Sequence, residues 1–450
     1  MPKYKGCKTI NDIKKIDENY VENDIINGVW MKDLEDLRDG NGMFKECDNL
    51  ISFNSDLNSL TDGTGMFWIC SNLSEFTTSD NSPINLSSLT NGTNMFRECS
   101  NITTFTSNLN SLINGYCMFY NCDKLSSFKS DLKRLNNGNY MFYRCPKLNN
   151  FNLDLHMLEN ASYMFFGCEN LLAFNSNLSS LLNGDAMFRD CYNLSTFKCD
   201  DLRSLTSGYS MFYGCKKLIT FNSDLSSLIN GGQMFGNCHS LKKIDVSDLN
   251  SLTSGETMFI SCHELTSFIF KLKSLINGNN MFQYCRSLIS FNSDLSSLTN
   301  GNYMFLGCKL NTQSLKNIAE TINTVTELQP IHIGIGNTTP TEEENIYLTQ
   351  IHNKGWQVYV NGSGNAYVPT DGTSLIPIDG EQNLNPIPYW AKPVPATKEE
   401  ANYIDENGNY FNILGGQFIY VNDPDTYGMF ISEEDAAAQM RLTKIEKEEV

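Results

Sequence analysis

The chain has 450 residues, a mass of 50.8 kDa and 40% hydrophobic residues, enough to build an ordered core, so wholesale disorder is excluded. Its 33 Lys and Arg face 51 Asp and Glu, a net charge of −18 that argues against a nucleic-acid or anionic-membrane partner, since both demand a basic face. No apolar run reaches the roughly 18 residues of a membrane span, the start MPKYKGCKTINDIKKIDENY has no apolar core of a secretory signal, and five His leave little for a histidine-based metal or acid–base site.

Residues 1–39 read as an N-terminal helical cap, polar outside with apolar residues at near-helical spacing. A repeat follows. Met-Phe pairs, each with a Cys three residues after the Phe, begin at Met43, Met66, Met95, Met118, Met141, Met164, Met187, Met211, Met234, Met258, Met281 and Met304. The consensus is M-F-x-x-C-x-x-L-x-x-F-x-S-D-L-x-S-L-x-N-G-x-x, and one longer step holds the insertion Thr77–Pro83. The Leu-x-x-Phe segment suits a short strand entering a turn, and Met-Phe-x-x-Cys a short helical or 3₁₀ turn with Phe and Cys inward. A Gly three residues before the Met, replaced once by Ala161, signals positive φ or a close approach. One unit cannot bury its own apolar face; stacked units can. The expectation is an α/β solenoid, right-handed, of about twelve strand-turn coils over 40–310.

Twelve of the fifteen Cys fall at one repeat position, which predicts a ladder of buried, reduced thiols acting as small apolar fillers. Metal sites call for C-x-x-C pairs or clustered His, and the sequence shows neither. Cys117 and Cys199 lie off the ladder, where exposure is open to them. The recurring Ser-Asp (Ser55-Asp56, Ser223-Asp224, Ser293-Asp294) reads as a polar turn rather than a calcium ladder, since Asn108 and Asn177 replace the acid elsewhere.

These M-F-x-x-C-x-x-L units resemble the bacterial leucine-rich repeat of BspA-like surface proteins, over about 40–310. The resemblance implies a leucine-rich-repeat stack used for adhesion, recognition or scaffolding.

Past Cys308, TQSLKNIAETINTV reads as a helix capped by Thr312, IHIGIG (331–336) as a strand, a second helix starts near Pro340, and WQVYVNG (356–362) is another strand. Together 311–362 make a β/α capping unit. Residues 363–395 read as a Pro/Gly-rich linker. Residues 396–450, with 12 acids and 4 bases, read as a small mixed α+β module for attachment or oligomerisation, with a hairpin at Asn407-Gly408, two strands around Asn422–Asp425 and a helix from Ser432.

No catalytic motif is present, so no enzyme and no cofactor is expected. The residue two after each Met is Trp68, Tyr120, Tyr143, Phe166 and Tyr213 in five coils, with Lys45, Arg97 and Arg189 interspersed; Tyr140, Tyr163 and Tyr303 stand just before a Met. If outward, these make an aromatic strip for a protein partner, or less favourably a glycan. The first expectation for function is a bacteriophage virion component (fibre, tail or decoration protein), made in the host cytoplasm, homo-oligomeric, docked to other virion proteins through its C-terminal module and offering the solenoid to a host surface protein or glycan. The alternative is a BspA-like cell-surface adhesin of a bacterium or protist.

Overall fold

In the computed structural model, residues 3–369 are described except 200 and 247, together with four short strands beyond them. The chain divides into two units, Met1–Ser374 and Leu375–Val450.

The first unit is the solenoid. Coils are numbered 1 to 12 from their Met-Phe pairs. In each, Met, Phe, Cys and the repeat Leu residues are essentially fully buried, as at Met141, Phe142, Cys145, Leu148, Leu155 and Leu158. Two backbone seams hold successive coils. One is parallel pairing of short strands about the second Phe, for example Phe151 with Phe174 and Phe174 with Phe197. The other runs unbroken from Asp39 through Asp62, Asn91, Asn114 and onward to Asn300, the Asx or Ser of each turn bridging in parallel to its counterpart one coil on. Within that seam the side chains cap their own turns: Asn91 Oδ1 accepts from Thr93 N at 3.2 Å and Asn277 Oδ1 from Asn279 N at 3.1 Å.

The core is a herringbone of phenylalanines. Rings of the Met-Phe pairs stack coil on coil, 5.4 Å apart and nearly parallel for Phe67 on Phe44 and 5.5 Å for Phe188 on Phe165. Strand rings form a parallel second stack meeting the first edge to face, as Phe151 meets Phe165 at 4.7 Å. The repeat glycines serve close approach, not left-handed backbone. A Cβ on Gly63 would lie 2.7 Å from Met95 Sδ, and one on Gly92 2.8 Å from Met118 Sδ, so each Met slides over the glycine one coil before it.

The cysteines do more than fill space. Cys70 Sγ donates to Phe44 O at 2.9 Å, Cys145 Sγ to Phe119 O at 3.1 Å, and the same bond recurs in every coil up to Cys308 on Phe282 O. Each such carbonyl also accepts the backbone N–H of its own coil's Cys, as Phe119 O does from Cys122. Cys is a residue small enough for the position that still offers a donor. Burial pushes these thiols up, to about 11 for Cys47 at the end of the ladder and about 12 for Cys168, and well above the ordinary thiol range along the rest of it. Cys117 and Cys199, for which exposure was open, are both buried with 3% of their surface left; the tight turn before Met118 and the strand end after Phe197 fold them under neighbouring coils.

The N-terminal cap begins with helices Ile10–Ile16 and Tyr20–Asp24 and a two-stranded hairpin, Ile25–Ile26 with Val29–Trp30. Trp30 sits edge-on to Phe44 at 4.8 Å and closes the ring stack, while Val29–Trp30 pairs in parallel with Ser52–Phe53. At the other end Gly301–Leu310 keeps the left-handed bends of its coil at Tyr303 (φ 54°) and Gly307 (φ 76°) and pairs in parallel, with register shifts, along Gln329–Ile335; Trp356–Val360 adds the next strand. Helix Thr312–Thr321 is capped by Asn311, one residue before the Thr312 expected from sequence, since the Asn311 side chain accepts from Ser314 N. Helix Glu342–Asn353 carries a capping box from Thr341 and Glu344.

In the second unit, Lys392–Pro395, Tyr403–Ile404, Tyr410–Leu414 and Thr443–Lys444 form an antiparallel sheet. Tyr403 pairs with Phe411, the hairpin expected around Asn407-Gly408, whose turn residues lie outside the described ones. Thr443–Lys444 is a strand within the segment read as a helix from Ser432; the rest of that segment and the strands expected around 422–425 lie outside the described residues.

Candidate functional site

Each Met-Phe-x-x-Cys turn is bounded by two residues in the left-handed region, one just before the Met and one three after it. In coil 5 these are Tyr140 at φ 58° and Arg144 at φ 51°. The bends keep Met, Phe and Cys inward and put the residues at Met−1 and Met+2 side by side on the surface, Tyr140 and Tyr143 being 5.7 Å apart between ring centroids. Because coils stack in register, each position becomes a column.

The Met+2 column occupies coils 1–8, with ring and cation contacts running from Lys45 to Phe166 and again from Arg189 to Tyr213. Lys45 Nζ lies 4.2 Å over Trp68; the Arg97 guanidinium sits between Trp68 at 5.2 Å and Tyr120 at 4.5 Å. Tyr120 stacks on Tyr143 at 4.6 Å and Tyr143 on Phe166 at 4.8 Å; then Arg189 lies 4.6 Å from Tyr213. The column stops at Gly236, where an added Cβ would lie 2.8 Å from the Tyr213 ring. Beside it Tyr140 stacks on Tyr163 at 4.8 Å, with Tyr116 edge-on at 6.0 Å.

The cations in the column are neutralised locally. Lys45 pairs with Glu46 at 3.3 Å, Arg97 with Glu98 at 3.1 Å and Arg189 with Asp190 at 3.8 Å, in each case the next residue in the chain. Burial raises the Tyr213 phenol to about 12 and raises Tyr120 and Tyr140, so the phenols stay protonated donors across the physiological range. All seven aromatic residues expected from sequence (Trp68, Tyr120, Tyr143, Phe166, Tyr213, Tyr140, Tyr163) stand in these two columns and are half-buried. Trp68, Tyr120 and Tyr143 have a column neighbour on either side, so what these rings offer solvent is edge and, in the tyrosines, hydroxyl.

Tyr303, at the same position as Tyr140 and Tyr163, belongs elsewhere: it stacks at 4.1 Å on His332 of the cap, and His332 in turn on Tyr359 at 4.5 Å. Burial lowers His332 to about 4. Two further tyrosines, Tyr116 and Tyr209, reach the surface at the position two before the Met, with 38% and 41% of their area exposed. The sequence signal for them was the same 23-residue register, one position farther from the Met. The Ser-Asp repeat is a turn: Asp294 Oδ1 accepts from Ser296 N at 2.9 Å and Asn177 Oδ1 from Ser179 N at 2.9 Å, an amide doing the work of the acid. Among the described residues no three His, Cys, Asp or Glu side chains converge as a metal site, and no helix is long and apolar enough to cross a membrane.

Fold and surface thus define a leucine-rich-repeat solenoid with an ordered ring column. The chain belongs to the BspA-type leucine-rich repeat family, whose profile matches residues 89–219 and 206–326. A second profile, a Mycoplasma protein of unknown function, matches residues 12–132. No curated protein matches the chain. Among solved structures it is similar to a leucine-rich cell surface protein from Faecalibacterium prausnitzii (15% identity, TM-score 0.30, covering 61% of this chain and 81% of that one). It is also similar to a leucine-rich repeat protein from Eubacterium ventriosum (16%, 0.32, 58% and 77%) and to the functional domain of InlJ from Listeria monocytogenes, described as including a cysteine ladder (12%, 0.19, 66% and 76%).

Proposed function

We propose that the protein is a non-enzymatic recognition or adhesion solenoid of a cell surface, binding a protein partner along the ring and guanidinium column of coils 1–8. One observation carries this reading. Coils 9–12 keep the same Met, Phe, Cys and Leu core, yet hold Gly236, Ile260, Gln283 and Leu306 where coils 1–8 hold the column. A feature that four coils close without is not needed to close a coil. Tyr, Trp and Arg are also the residues that dominate protein contacts when partly desolvated. A glycan stacks on exposed ring faces; here the faces are taken, and edges with donor hydroxyls favour a protein. Family membership fits a surface role. Nothing in fold or family points specifically to a virion, so the bacteriophage reading gives way to its alternative. Self-association and docking through residues 396–450 remain part of the proposal.

The test is binding of labelled full-length protein to intact cells, both host cells and cells of its own source. Protease shaving of the cells should abolish binding and periodate should spare it. The Tyr143→Ala/Phe166→Ala chain should bind at least about tenfold more weakly. Loss on periodate alone makes the partner a glycan; unchanged binding by the double variant removes the column from the site.

A further inference from the structure

The Asx seam of the solenoid is built largely from Asn-Gly, the dipeptide most prone to lose its side-chain amide spontaneously. In that reaction the backbone nitrogen of the Gly attacks the Asn Cγ. A new C–N bond closes a succinimide, the Cγ–Nδ2 bond breaks and ammonia leaves. Water then opens the ring to aspartate or to isoaspartate, whose backbone carries an extra carbon. The step needs a free Gly N–H and a side chain able to swing onto it.

In the seam pairs from Asn91 to Asn277 neither is free. Gly92 N donates to Asn114 O at 2.8 Å, Gly115 N to Asn137 O at 2.8 Å, Gly231 N to Ser254 O at 2.9 Å and Gly278 N to Asn300 O at 2.8 Å, each bond tying one coil to the next. The Asn side chains are held as turn caps, as at Asn230, whose Oδ1 accepts from Gly232 N at 3.1 Å. Asn361-Gly362, beyond the seam, is pinned differently: Asn361 Oδ1 accepts from Ile335 N at 2.8 Å and its Nδ2 donates to Asn337 O at 2.7 Å.

Asn41-Gly42, beside the seam in coil 1, has an exposed side chain, but Gly42 N donates to Thr64 O at 2.9 Å. Asn27-Gly28 lacks both kinds of tie. Both residues are left-handed, at φ 51° and 82°, in the two-residue turn of the cap hairpin. The Asn27 side chain is exposed and makes no hydrogen bond, and neither does Gly28 N–H, among the described residues. Reaching the attack geometry needs rotation within a turn flanked by two-residue strands, the kind of segment that opens cheaply. In the seam it needs an inter-coil bond broken in the middle of the stack.

We propose that Asn27 is the preferential site of spontaneous deamidation among the described Asn-Gly pairs, and that inter-coil bonding protects those of the seam. The location has a consequence. Gly28 O accepts from both Ile51 N at 2.7 Å and Ser52 N at 3.0 Å, the first joint between cap and solenoid. An isoaspartate at position 27 lengthens the turn next to that joint and loosens the cap.

The experiment is peptide mapping by mass spectrometry of the intact chain aged in mildly alkaline, reducing buffer, with a parallel sample in denaturant. In the folded chain Asn27 should convert at least about tenfold faster than Asn91, Asn114, Asn230 or Asn277, and in denaturant the rates should draw together. Asn27→Gln should remove the fast phase and leave the rest unchanged. Seam pairs converting as fast as Asn27 in the folded chain, or Asn27 staying an amide while they convert, overturns the proposal.

Discussion

Coils 1–8 and coils 9–12 share one interior and differ on one edge. Inside, Phe165 on Phe188 and Phe259 on Phe282 stack at 5.5 Å and 5.4 Å, and Cys191 and Cys285 each hand a hydrogen bond to the previous coil's Phe carbonyl. At the Met+2 edge the first set carries rings and guanidiniums, while the second carries a glycine, two aliphatic residues and a glutamine. The difference separates what closes a coil from what decorates it, within one chain and without reference to any relative. It also gives every variant a matched control a few coils away.

The largest expected effect tests the shared interior. Ladder thiols are neutral in the fold because burial raises them, so their contribution is fully present below the ordinary thiol value of about 8.5 and is lost as pH rises above it, where only the unfolded chain ionises. At pH ~10 the loss is roughly 2 kcal/mol per ladder thiol, so a handful of coils outweighs the 5–15 kcal/mol that holds a typical domain. Under reducing conditions circular dichroism should show cooperative unfolding near pH ~10. Both sets of coils should melt together; a chain still folded well above that pH would mean the ladder is wetter than its burial implies. Gly63→Ala comes next. Its Cβ meets Met95 Sδ at 2.7 Å, for a cost of about 1–3 kcal/mol in denaturant titration. Gly255→Ala in the second set, against Met281 at 3.0 Å, should cost a similar amount. Ala161, buried in that position in coil 6, shows that the fold accommodates a Cβ there, which sets the lower end of the range.

The contrast between interior and edge also marks what was legible in the sequence. The interior was, because identical residues at a fixed period have one way to bury themselves: Met141, Phe142, Cys145 and Leu148 all point where the period put them. Cys as a hydrogen-bond donor was not, since a thiol and a methyl look alike in a pattern and only the Phe119 carbonyl above Cys145 tells them apart. The seven strip residues were legible as positions, but not as a stack. That faces rather than edges are covered depends on an inter-coil spacing that sets ring centroids 4.6 to 4.8 Å apart, and the part played by Arg97 depends on its lying between two rings. Asn311 displaced Thr312 as a cap for a similar reason: both are good caps by type, and the chain's exit from the last coil decides.

A smaller effect falls on the edge itself. Tyr143→Ile installs the residue type that coil 10 carries at the same position, Ile260. Two stacking contacts are lost, at 4.6 Å and 4.8 Å, worth about 1–2 kcal/mol together, and the aliphatic side chain returns part of that by covering the same seam. Calorimetry should show a modest drop, about 1 kcal/mol, while cell binding falls by far more. A large thermal loss with parallel binding loss would make the column structural in coils 1–8 after all.

The smallest effect is expected at Ile69, and its sign is informative. This β-branched residue sits at φ 62°, a conformation in which Cβ crowds the following carbonyl at about 1–2 kcal/mol. The corresponding residues of coils 6, 8 and 12 are Gly167, Gly214 and Gly307, all with positive φ and no such crowding. Ile69→Gly removes the strain but adds backbone freedom to the unfolded chain, about 0.5–1 kcal/mol in the other direction. It also uncovers whatever apolar surface the half-buried side chain shields beside Trp68. The net change should be within about 1 kcal/mol, tending to stabilise, read as a small rise in melting temperature. A clear loss instead would show that Ile69 packs against the column strongly enough to outweigh its own backbone. The left-handed residue would then be part of how coil 2 positions Trp68, beyond being a bend every coil requires.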